Sequence, residues 1–108
     1  MFRLLVLCRG PYHLRHEQGE AWLREQLESV LRRDGLGAAS LTGLDDASPT
    51  EAREWDWLIE VSLAEPAARA ALGRGGACSE LLADMRLLGM APTVALAADP
   101  KAIDPRPS

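Results

Sequence analysis

Trp55-Asp56-Trp57-Leu58-Ile59-Glu60-Val61-Ser62-Leu63 is the stretch on which the fold turns. Trp55, Trp57, Ile59, Val61 and Leu63 alternate with Asp56, Leu58, Glu60 and Ser62, a period of two that sends the bulky set to one side of a strand. Phe2 to Arg9 repeats the pattern, with Phe2, Leu4, Val6 and Cys8 on one side and Arg3, Leu5, Leu7 and Arg9 on the other. Gly10-Pro11 ends it. Two strands with one rich face each predict a sheet covered on that face.

Between them the period changes. From about Gln18 to Arg33, Leu23, Leu27, Val30 and Leu31 recur at helical spacing, Trp22 lies beside them, and Asp34-Gly35 closes the segment. Ala38 to Leu44 reads as a short edge strand, followed by the turn-forming Asp45-Asp46-Ala47-Ser48-Pro49. A second helical stretch opens at Glu65-Pro66 and breaks at Gly73-Arg74-Gly75-Gly76. It resumes from Cys78 to Leu88 on Leu81, Leu82, Met85 and Leu88. Pro92 to Ala98 forms a last strand. The order β-α-β-β-α-β predicts a ferredoxin-like α+β domain over residues 1–99: a four-stranded antiparallel sheet with two helices on one face. Residues 100–108, with three prolines, read as a loose tail.

Length and charge bound the function. A chain of 108 residues holds one core. Net charge −4 and a pI near 5.1 argue against a nucleic-acid or anionic-membrane partner. An RNA-binding reading of this topology fails on residues too, because the tryptophans alternate to the helix side and leave no exposed aromatics to stack bases. The apolar run Leu4 to Cys8 is shorter than a signal segment, and no window approaches the ~20 apolar residues of a membrane helix. Cys8 and Cys78 have no metal-ligand spacing. They read as packed, reduced thiols of a cytoplasmic protein, with no cofactor and no metal expected.

Two helices on one face leave the other bare. Leu5, Leu7, Leu58, Ala95 and Ala97 fall there, with Arg3 and Arg9 opposite Asp56 and Glu60. Antiparallel pairing would set Arg9 near Asp56 and Arg3 near Glu60, a cross-strand salt ladder. Burying three leucines is worth roughly 5–9 kcal/mol before association costs. The expectation is a homodimer by sheet-face packing, with Arg3, Leu5, Leu7, Leu58 and Glu60 at the interface.

Nearly the whole domain, Phe2 to about Ala98, resembles the dimeric α+β barrel superfamily, and within it the EthD-like proteins, relatives of antibiotic-biosynthesis monooxygenases. The resemblance is carried by the first strand with its Arg9-Gly10-Pro11 exit, by Ala21-Trp22, by the Trp55-to-Val61 strand, and by Leu82-Ala83-Asp84-Met85 leading to Leu88-Gly89-Met90. It implies paired sheets forming a barrel, and cofactor-independent chemistry on a small aromatic or polyketide-like molecule. EthD-like proteins often follow the helix tryptophan with a histidine four residues on. Here Gln26 stands at that position, and an amide exchanges no proton near neutral pH. A general-base role does not carry over. The competing class is therefore a non-catalytic dimerisation or ligand-binding module.

Other candidates are weaker. His13 is the best available base, in a loop with Tyr12 and His16, although solvated loop histidines are common. His13 and His16 have i, i+3 spacing but no third metal ligand. Tyr12, Trp22, Gln26, Trp57 and Met85 are expected to border a pocket between helices and sheet, if the aromatics are not simply core. The glycine cluster at 73–76 matches no phosphate-binding motif.

Overall fold

The computed structural model describes residues 2–11, 13–34, 37–44, 55–64, 67–98 and 101–104. Its elements run β1 (Phe2–Cys8), α1 (His16–Asp34), β2 (Ala38–Gly43), β3 (Trp57–Leu63), α2 (Ala67–Leu72), α3 (Ala77–Leu87) and β4 (Thr93–Ala97). The sheet is antiparallel in the order β2-β3-β1-β4, the ferredoxin-like arrangement expected from the sequence.

β1 and β3 pair at the centre, with Leu4 opposite Val61, Val6 opposite Ile59 and Cys8 opposite Trp57. Because strand side chains alternate, this register puts Leu4, Val6, Cys8, Trp57, Ile59, Val61 and Leu63 on one face, and all seven are buried. α1 covers them with Leu23, Leu27 and Val30, and α3 with Ala77, Cys78, Leu81, Leu82 and Met85. At the start of α1, Gln18 Oε1 accepts the Arg15 N–H at 2.9 Å, one half of a capping box. Glu17 in its first turn and Arg32 and Arg33 in its last oppose the helix dipole. α3 ends in a Schellman motif: Gly89 takes φ +76°, its N–H reaches Arg86 O, and the Met90 N–H reaches Met85 O.

One expectation about the sheet needs correction. β3 starts at Trp57, not Trp55. Asp56 Oδ2 accepts the Gly10 N–H at 2.6 Å, and Trp55 is half-buried with the Arg9 guanidinium 5.9 Å above its ring. Val94 and Leu96 do point to the helix side, opposite Val6 and Leu4. They are nevertheless 39% and 52% exposed, because the helix layer does not reach over β4.

The glycine cluster between α2 and α3 is a close-packed corner. A side chain at Gly76 would meet the carbonyls of Ala70 and Ala71 at 2.1 and 2.4 Å. The Gly76 N–H bonds Gly73 O, Ser79 Oγ donates to Leu72 O, and Gly75 takes φ +74°. Arg33 of α1 binds this corner, donating to Gly75 O at 2.8 Å and pairing with Glu80, whose carboxyl is held below the usual carboxylate range by that arginine. The end of α2 and the corner's own bonds fill the space in front of α3. Asp45-Asp46 and Glu65-Pro66 lie outside the described residues.

Two outcomes follow. Gly76→Ala must push backbone apart, a core overpacking of roughly 1–3 kcal/mol, read as a fall in Tm of about 4–8 °C per kcal/mol. Cys8 and Cys78 are buried and not joined in a disulfide, and burial first, then the Asp56 charge, pushes the Cys8 thiol up to about 12. Neither cysteine should react with a thiol reagent at pH 8 until denaturant is added. Because the folded thiol holds its proton where the unfolded one has lost it, stability falls as pH rises from 9.0 toward 12, an alkaline loss that Cys8→Val should reduce.

Candidate functional site

Two regions of the fold offer surface for function: the uncovered sheet face and a cleft between α1 and α3. On the sheet, the register sets Leu7 opposite Leu58 and Thr93, Leu5 opposite Glu60 and Ala95, and Arg3 opposite Ser62 and Ala97. β2 contributes Ala38, Ser40 and Thr42 at its edge. Leu5, Leu7 and Leu58 are half-buried by their neighbours alone, and no helix stands over them.

The predicted salt ladder does not form on this face. Arg3 faces Ser62 rather than Glu60, which sits one rung away opposite Leu5. No bond joins the two among the described residues. Arg3 Nε is closed off from solvent and has no hydrogen-bond partner. Arg9 spends its charge on the face of Trp55 instead, a cation–π contact in the usual range.

On the helix layer, Trp22 and Gln26 of α1 stand one turn apart and face Asp84, Leu87 and Leu88 at the end of α3. Together they line an open cleft of about 260 Å³. Leu87 is 85% exposed there, an apolar side chain with nothing over it. A second open cleft, about 300 Å³, lies between α1 and β2 and is lined by Arg24, Leu27, Glu28, Leu31, Ala39, Ser40 and Leu41.

The structure thus brings together two of the expected pocket residues, Trp22 and Gln26, and separates the others. Trp57 and Met85 are fully buried core beneath the helices and line neither of these clefts. Their burial is explained by packing. α1 approaches so closely that a side chain at Gly19 would touch Trp57 Cη2 at 3.0 Å and Pro11 Cδ at 3.2 Å. Tyr12 lies outside the described residues. His13 is exposed in the turn before α1 and lines neither cleft.

His16, expected in the loop, is the first residue of α1, where its ring stacks on the Trp57 indole at 4.7 Å and 21°. Nothing in the local sequence signals that stack, since the partners are 41 positions apart. Asp84 and Leu88 were also missed as cleft residues. Their i, i+4 spacing on the exposed side of α3 mirrors that of Trp22 and Gln26, and was the available signal. Trp57 Nε1 is buried without a hydrogen-bond partner. No group of three or more metal-capable side chains occurs among the described residues, nor any helix long and apolar enough to cross a membrane.

No protein-family model and no curated protein sequence matches this chain. Solved structures do match. An ethyl tert-butyl ether d (EthD) family protein from Bacillus halodurans C-125 superposes with a TM-score of 0.65 at 15% identity, covering 92% of this chain and 98% of that one. A dimeric ferredoxin-like protein of unknown function from Thermobifida fusca YX gives 0.55 at 16% identity, over 90% and 89% of the two chains. A hypothetical protein of Arabidopsis thaliana, solved in solution, gives 0.60 at 12% identity over 95% and 90%. Identities this low speak to architecture alone: the chain has the ferredoxin-like α+β fold and shares it with an EthD family protein.

Proposed function

We propose that the chain is an EthD-like homodimeric α+β-barrel module that binds a small aromatic or polyketide-like molecule rather than converting it. The observation that carries the dimer is the row Leu5, Leu7 and Leu58, flanked by Ala95 and Ala97, on a sheet face that no described helix or strand covers. Apolar surface at the centre of an open sheet gains by meeting a second apolar face, and an identical chain offers one. The Thermobifida fusca protein that shares the fold is itself dimeric, which supports the reading.

Binding without turnover is favoured over catalysis by the state of the helix–sheet layer. Trp57, Leu23, Met85 and Met90 are buried in it, which supports a filled layer rather than a chamber that holds a substrate away from water. The Trp22–Gln26 cleft offers an aromatic edge, an amide, apolar side chains and the Asp84 carboxylate, groups that suit a small binding site. His13 stands apart from it in an exposed turn, and a base must reach the proton it takes. Two unlinked, buried cysteines suit a reducing compartment, consistent with the cytoplasm.

Light scattering at micromolar concentration should return twice the 11.7 kDa chain mass, and Leu58→Arg should return the single-chain mass with unchanged circular dichroism. A monomeric wild-type chain overturns the dimer. Thermal-shift screening against aromatic metabolites should find stabilising ligands whose effect is lost in Trp22→Ala and kept in His13→Ala. A hit that instead disappears with His13 would restore the catalytic reading.

A further inference from the structure

Within the four strands, Arg3 is the one base and Glu60 the one acid on the open face; the other members are leucine, alanine, serine and threonine. Arg3 is half-buried, its Nε is withdrawn from water, and no described residue bonds it. A guanidinium N–H in that state carries a desolvation cost with nothing to offset it. Glu60 is also half-buried, and it stands opposite Leu5 and Ser40, neither of which has a charge to match it. The chain places complementary charges on one apolar surface without joining them.

A two-fold interface has a simple way to resolve this. When identical patches meet, residue i of one copy meets residue j of the other, and j meets i in turn. We propose that in the sheet-face dimer the guanidinium of Arg3 pairs with the carboxylate of Glu60 of the partner subunit, twice about the axis. The leucine row supplies the contact area, and the two charge pairs supply its register. This inference rests on the dimer proposed above and names the contact that makes it selective for a second copy. An unrelated apolar protein would bury Arg3 and Glu60 unpaired, which opposes promiscuous association.

The test uses the full chain with charges exchanged. Arg3→Glu alone and Glu60→Arg alone should each weaken self-association by roughly 30-fold or more, the scale for unpairing a buried interfacial charge. Mixing the two variants should restore a dimer that contains one chain of each kind, visible by native mass spectrometry after isotope labelling of one of them. The double variant Arg3→Glu/Glu60→Arg should recover a homodimer. A pair closed within one chain predicts no mixed dimer, and that result would overturn the proposal. It is also overturned if both single variants dimerise like the wild type while Leu58→Arg does not, an outcome that leaves the dimer itself standing. A wild-type chain that stays monomeric removes the sheet-face reading along with it. Circular dichroism of each variant separates lost association from lost folding.

Discussion

The antiparallel pairing of β1 with β3 sets the constraint that everything else obeys. With Val6 opposite Ile59 and Leu4 opposite Val61, each pair of neighbours projects to the same side. A slip of one residue would exchange the faces, sending Trp57 to the open side and Leu58 under the helices. That exchange is strongly opposed, because it would uncover an indole and several branched side chains and bury Glu60. The same register that builds the core therefore builds the open face. The leucines look outward because the larger residues look inward.

What covers the inner face explains the shape of the candidate site. α1 lies against β3 closely enough that a side chain at position 19 would crowd Trp57 and Pro11, and α3 carries Met85 into the same layer. Such packing leaves Trp57 and Met85 fully buried. Space remains where the two helices diverge, at Trp22 and Gln26 on one and Asp84 and Leu88 on the other. The tie from Arg33 to the corner at Gly75 and Glu80 fixes the far end of this helix pair, so the separation of the helices is anchored beside the opposite end of α3 from the cleft. The groups on offer there are an indole, an amide and one carboxylate.

Much of this was legible in the residues. Strand faces follow from a period fixed by the backbone, and the helix stripes from one fixed by the helical turn, so the element order and the core of β1, β3, α1 and α3 could be read directly. The misjudged details share a cause. Trp55 keeps the alternation of β3, yet the strand begins at Trp57, and the Asp56 carboxylate before it accepts the Gly10 N–H, a contact between distant positions. Val94 and Leu96 have the right parity for burial, but coverage depends on how far the helix layer extends, which no local pattern encodes. The pocket was expected under the helices and lies between them, since a cavity is what packing leaves over, and composition does not state it. The His16–Trp57 stack is of the same kind.

The two sides of β4 show how the proposed assembly would couple to the fold in so small a domain. Its helix-side residues Val94 and Leu96 are exposed, and its other side joins the open face through Thr93, Ala95 and Ala97. The strand is held mainly by its ladder to β1 and by the Arg9 N–H to Met90 O bond beyond it. An edge strand with no charged residue and no proline is normally open to adventitious pairing, and here only its shortness limits that. Packing a second sheet over Ala95 and Ala97 would add contacts that the helix layer does not provide. On this view the dimer completes a core that one copy leaves half-built, and the smallest strand has the most to gain from it.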